Sequence, residues 1–297
     1  MASRNKSRGA ELPTFPAETA AIRDGDWAVA TAAQIDPASA KRLSGLQGYR
    51  QARQWSDAQE ATSVIVVVDT VNAALELDEI LYELRKLPVA IELNPFGYLF
   101  SFIKTFSERP ECVLPDRADM TWSTHCLRSY ARHAIDTAQR RGAVVIDAGQ
   151  YDVAAPFAGD EQIEAADLLQ VPRGRITEDG VRDNLRIVLQ HVASVLLGKA
   201  VHDLEAAGSN AMLAELARAQ LWQWEHHETG VLDEGRIITG ELLDEWLGEE
   251  LQQLGASVTA DEGASAALEQ AAELLRDLTH AHTIAPFLLD EAYRRRE

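Results

Sequence analysis

Cysteine is scarce: Cys112 and Cys126 are the two in 297 residues, so no disulfide framework holds the fold. Long apolar runs are missing as well. The densest stretch, Val64–Val68, falls far short of the roughly 20 residues that a bilayer crossing needs, and it fits a buried strand instead. Cations are under-represented, with 28 Lys and Arg against 47 Asp and Glu and a net charge of -19. Such a surface repels phosphate backbones and acidic lipid, so neither nucleic acid nor membrane is an expected partner. Arg4, Lys6 and Arg8 are not followed by an apolar core, so no secretory leader is read there and the cytoplasm is the expected location. No internal repeat is found.

What is present is ordinary globular material, 46% hydrophobic and 25% charged, enough for one large domain or two modest ones. Residues 1–60 begin polar, with Pro13 and Pro16, and keep poor periodicity up to Glu60. From 61 to 160 the pattern alternates. Val64–Val68 reads as a strand covered on both faces, and Thr70–Lys86 has helical spacing through Val71, Ala74, Leu77, Leu81 and Leu84. Val89–Leu93 is a second strand, broken by Pro95 and Gly97. Phe100–Phe106 reads as a short helix or an irregular segment, and Thr121–Arg140 as an amphipathic helix closed by Arg140-Arg141-Gly142. Ala143–Ile146 is another strand. This alternation predicts an α/β unit with parallel strands.

From 161 to 297 the strands stop and helices are expected. Thr177 caps one that runs to Gly198; a second runs from Ser209 to His226; Thr239 caps a third; Ser265 is the expected cap of a fourth, to Leu278.

Several stretches, in order, resemble the malate synthase family of the A type. Glu11-Leu12-Pro13 through Asp26-Trp27 is similar to that family's N-terminal clasp, and Asp78 to Arg85 to a barrel helix. Phe100-Ser101-Phe102-Ile103-Lys104, Val113-Leu114-Pro115-Asp116-Arg117, Arg140-Arg141-Gly142-Ala143 and Asp167 to Pro172 follow. The most specific segment is Ala219-Gln220-Leu221-Trp222-Gln223-Trp224, with Gly230 to Arg236 after it. The resemblance implies a (β/α)₈ barrel, an N-terminal clasp and a C-terminal helical domain, with the site at the carboxyl ends of the strands. The text jumps from Trp27 almost to Val64, and from Ile146 to Asp167. About three or four strands are legible where a closed barrel needs eight. The expected fold is therefore an incomplete TIM-barrel-like malate synthase fold with an all-helical C-terminal domain: a clasp-like segment (1–60), a partial barrel (61–160) and a helical domain (161–297).

The resemblance also implies a Claisen condensation of acetyl-CoA with glyoxylate. Magnesium is held by a glutamate and an aspartate, an aspartate serves as base and an arginine steadies the enolate. Asp69 falls at the metal glutamate; its bland reading is a strand-end aspartate in solvent. The second metal carboxylate is replaced by Gly97, and the glycine-arginine pair before it by Asn94, Pro95 and Phe96. The base position is held by Asn210, whose amide accepts no proton; Ser209 or Asn210 reads as a helix cap instead. The arginine's segment is absent, and Arg50 and Arg53 sit in no matching motif. On the acyl-CoA side His125 and Cys126 replace a proline-phenylalanine pair. Neighbours on a helix point about 100° apart, so they form no nucleophile–base pair. His226 and His227 read as helix-end cations.

The expected cofactor set is empty, the one exception being magnesium at Asp69. The leading functional expectation is a malate synthase relative without condensation activity, acting as a binding or assembly partner. A repurposed enzyme for another carbonyl or acyl substrate is the alternative, and an active malate synthase the last. Val64–Val68 is expected to leave an open apolar edge, so a homo-oligomer or heteromer through open sheet edges is the expected state.

Overall fold

Five consecutive β-branched residues give Val64–Val68 no polar face, and the chain covers it accordingly: Val64, Ile65, Val66 and Val68 have no exposed surface. The structure, a computed structural model, describes residues 41–43, 63–146, 163–198, 211–258 and 262–296. Strand β1 is Lys41–Leu43, β2 is Val64–Val68, β3 is Val89–Leu93 and β4 is Val144–Val145. All neighbours are parallel and the order is β1-β2-β3-β4, with Val64 opposite Val89, Lys41 opposite Val64 and Ala90 opposite Val144. Strand order that follows chain order, with helices between, is the progression of a (β/α) barrel. Four strands in this open order make the barrel incomplete among the described residues.

β1 carries no sequence signal, since two of its three residues are cationic and none is β-branched. Pairing with β2, a tertiary contact, decides it over propensity. It also corrects the expectation of an open edge along Val64–Val68, because Val64, Ile65 and Val66 are paired on that side. The terminal strands of the described sheet are β1 and β4.

Where one helix was expected over 70–86 there are two, α1 (Val71–Leu75) and α2 (Leu77–Glu83), divided at Glu76. Thr70 starts the first by accepting the Ala73 amide at 3.1 Å. Pro95 ends β3 as expected but opens α3 (Pro95–Thr105), because the first helical position needs no N–H. Helix α4 (His125–Arg140) closes at Gly142, which has a φ of 66° that suits glycine. The cations at its end bind Asp78 on α2, Arg140 at 3.2 Å and Arg141 Nε at 2.8 Å. The Arg141 hydrogen bond holds the Asp78 carboxyl below its ordinary range. A short helix, α5 (Ala165–Leu168), follows β4.

The described chain forms two compact units. One ends its first stretch at Asn94 and resumes over Leu127–Leu168; the other takes Pro95–Cys126 and everything from Leu169 on. The second unit is helical: α6 (Glu178–Leu196), α7 (Ala211–His226), α8 (Gly240–Val258), α9 (Glu262–Thr279) and α10 (Leu288–Arg296). Thr177 accepts the Gly180 amide at 3.0 Å and Thr239 the Leu242 amide at 3.3 Å, so both start helices as expected. Ser265 does not: it lies inside α9, which begins at Glu262. One apolar cluster joins Val181, Leu185, Val188 and Val192 of α6 to Leu221 and Trp224 of α7 and to Ala271, Leu274 and Leu275 of α9.

Candidate functional site

In a barrel the chemistry sits where the strands end. Val68 ends β2, and Asp69 follows as a partly buried residue with one carboxylate oxygen shielded from solvent. The neighbouring end of β3 is tied to it by one side chain. Tyr130 of α4 has no exposed surface; its hydroxyl donates to the Val68 carbonyl and accepts the Asn94 amide at 3.2 Å. One phenol thus locks the fork between two strand ends, next to Asp69. Tyr130→Phe removes only that oxygen; the Asn94 amide still reaches the Val68 carbonyl at 3.4 Å, so the expected cost is about 0.5–1.5 kcal/mol. A thermal melt unchanged from wild type would refute the assignment.

The expected site residues are not gathered within one unit. Asp69 belongs to the α/β unit, Gly97 to the helical one, where it is buried in the first turn of α3, and Asn210 lies outside the described residues. Position 97 therefore offers no side-chain ligand. Among the described residues no group of three or more His, Cys, Asp or Glu is placed to hold a metal ion.

The segment most specific to the resemblance, 219–224, proves to be a clasp. Every residue of α7 from Ala214 to Trp224 is buried, polar ones included. Gln223 accepts the Leu114 amide at 2.9 Å and donates to the Cys112 carbonyl at 2.9 Å. Gln220 donates to the Pro115 carbonyl at 2.7 Å, and Trp224 to the Leu114 carbonyl at 2.8 Å. Three side chains on one helix thereby bond three carbonyls and one amide of Cys112–Pro115. Gln220 also accepts from Asn184 at 3.2 Å, and Asn184 accepts from Arg117. Asp116, 5% exposed, takes the Thr177 hydroxyl at 2.5 Å and its amide at 3.1 Å, which fastens the same strap to the start of α6. Burial raises the Asp116 carboxyl against these hydrogen bonds.

Sequence reasoning missed a buried ion pair on the same helix, Glu215 with Arg218 at 2.9 Å, both fully shielded. Glu215 also accepts the Leu288 amide at 2.7 Å, where α10 begins. Opposite charges three apart, the only charged residues between Ala211 and Trp224, were the available signal. His125 and Cys126 open α4, and the Cys126 thiol is buried. His226 and His227 have structural partners. His226 stacks on Trp222 with centroids 4.3 Å apart and bonds its carbonyl at 2.9 Å; His227 reaches the Ser107 carbonyl at 2.7 Å.

A parallel, chain-ordered α/β unit and a helical unit in one chain define a barrel-class protein. Comparison with known sequences narrows this. The family model described as malate synthase, TIM barrel domain, matches residues 54–182, and that described as malate synthase, C-terminal, matches 175–295. The malate synthase of Myxococcus xanthus (strain DK1622) is 30% identical over 317 residues, covering 84% of this chain and 58% of its own. Malate synthase A of Escherichia coli (strain K12) is 25% identical, covering 85% and 60%, and the malate synthase of Oryza sativa subsp. japonica 28% identical, covering 84% and 57%. The chain belongs to the malate synthase family. It spans 57–60% of the length of these relatives. The Myxococcus alignment runs over 317 residues yet takes only 84% of a 297-residue chain, so part of the length difference falls inside the matched region.

Proposed function

We propose that this protein is a non-catalytic relative of malate synthase that serves as a binding or assembly partner. The observation that carries the reading is Gly97. It is buried in α3 at the position where the family resemblance calls for a carboxylate ligand, so the donor set for a resident magnesium ion is reduced to Asp69. Magnesium takes near-octahedral oxygen coordination, and one carboxylate seldom suffices for a tight site unless substrate adds ligands. Asn210 adds to this, since an amide at the base position accepts no proton. Assembly is drawn from the sheet, in which β1 and β4 each pair with a single neighbour among the described residues, since sheet edges are where a further strand can add.

Asp69 beside the Tyr130-locked strand ends favours a second reading, a repurposed enzyme for another carbonyl or acyl substrate. Native mass spectrometry of the purified chain separates the two. The expected result is a dimer, or a heteromer with a fuller relative, with no retained small molecule and a specific interface above roughly 1,000 Å². A monomer that retains an acyl or carbonyl ligand would overturn it in favour of the enzyme. No described helix is long and apolar enough to cross a membrane.

A further inference from the structure

We propose that His280 is a pH-sensitive latch whose imidazolium ties the end of α7 to the start of α8 at the foot of α9, and that the latch opens when the ring loses its proton. His280 follows the last residue of α9, and its amide closes that helix on the Arg276 carbonyl at 3.0 Å. Its two ring nitrogens face two carboxylates on different helices: Nδ1 lies 2.7 Å from Glu225 Oε1 on α7, and Nε2 lies 3.3 Å from Asp244 Oδ1 on α8. Ionised carboxylates only accept, so both contacts are hydrogen bonds only when both nitrogens carry hydrogen. A neutral ring has one N–H and turns a lone pair toward one of the two carboxylates.

The surroundings favour the cation. From α7 come Glu225 and, 4.0 Å from its second oxygen, His226 Nδ1. From α8 come Asp244 and Glu241, whose carboxyls both respond to the His280 charge. From α9 comes Arg276, which shares Asp244 Oδ1 at 2.8 Å. Three carboxylates thus face one guanidinium and two imidazoles. Partial burial disfavours the His280 cation, but the hydrogen bonds to Glu225 and Asp244 outweigh it and hold the pKa above its ordinary value.

The ring is also wedged. A Cβ built on Gly240, the first residue of α8, would lie 2.8 Å from Glu225 Oε1 and 3.0 Å from the His280 ring. The connector beyond is anchored next door, where Trp222 Nε1 donates to the Ala281 carbonyl at 2.8 Å.

The sign follows from linkage. A folded pKa raised above the unfolded one gives stability that is complete below the unfolded pKa and lost as pH rises through the folded pKa. The experiment is hydrogen-exchange protection of residues 278–282, measured on the whole chain from about pH 6 to about pH 9, with the His280 ring followed by NMR in the same samples. Protection in the wild type is expected to fall by about threefold or more across that range, in step with the ring's titration. His280→Gln should abolish the pH dependence. Should that variant fail to fold, Asp244→Asn serves instead: it keeps the ring, removes one negative charge facing it and moves the transition to lower pH. A His280 that titrates at or below its ordinary value, or a pH dependence that survives in His280→Gln or stays unmoved in Asp244→Asn, overturns the proposal.

Discussion

Incubated with acetyl-CoA, glyoxylate and magnesium, the protein is expected to release thiol at a rate about 10⁴-fold or more below that of a complete malate synthase. Two losses, both implied by the family resemblance, combine in that expectation. The acetyl methyl must give its proton to a base before carbon–carbon bond formation, and an asparagine at position 210 has no lone pair basic enough to take it. Loss of a general base alone costs about 10²–10⁴ in rate. Glyoxylate must also be polarised, and a glycine at position 97 removes one of the two carboxylates that would hold the polarising ion. A thiol-trapping assay with and without glyoxylate measures this, and glyoxylate-dependent release would refute it. Restoring aspartate at both positions is expected to leave activity absent, because the described sheet has four strands in open order. Circular dichroism should accompany that variant, since a carboxylate at buried position 97 carries its own desolvation cost.

Trp224→Ala is the mutation expected to cost most stability. The indole has no exposed surface and packs among the apolar side chains of the helical unit, while its Nε1 donates to the Leu114 carbonyl at 2.8 Å. Truncating a buried tryptophan leaves a cavity and removes transfer free energy, about 3–5 kcal/mol together. The midpoint of thermal unfolding should fall by about 10 °C or more. Trp224→Phe keeps most of the packing and drops the donor, so it isolates the hydrogen bond at about 1–2 kcal/mol. A midpoint for the alanine variant within a degree or two of wild type would mean that α7 is not the centre of this unit.

Local rules were enough wherever the determinant was local. Thr177 and Thr239 announce their helices because a hydroxyl at that spacing satisfies an orphan amide of its own chain. Val64–Val68 announces a strand by composition. Ser265 misled because the same residue type sits comfortably inside a helix when the true start is three residues earlier. β1 and α10 escaped notice for another reason: Lys41–Leu43 is held by pairing with β2, and Leu288 by the distant carboxylate of Glu215. In the site, the roles of positions 69, 97 and 210 are expectations carried by family resemblance alone, and Asn210 lies outside the described residues. The work of Gln220 and Gln223 was not legible, because their partners are backbone atoms more than a hundred residues away and leave no complementary side chain to read. His280 was silent because its two acceptors are carboxylates that come from separate helices.

The grip of α7 on Cys112–Pro115 engages carbonyls and one amide, never a side chain of that segment. A clasp of this kind is blind to spelling and strict about counting. Point substitutions in the segment keep every one of these bonds so long as the new side chains still pack and position 114 keeps its N–H, so this clasp alone does not dictate the Val113-Leu114-Pro115 spelling on which the resemblance rests. A single-residue insertion or deletion slides each carbonyl past its partner and breaks the set at once. Length variation among relatives should therefore fall outside these four residues, and a change of length within them marks a chain that has given up this helix contact.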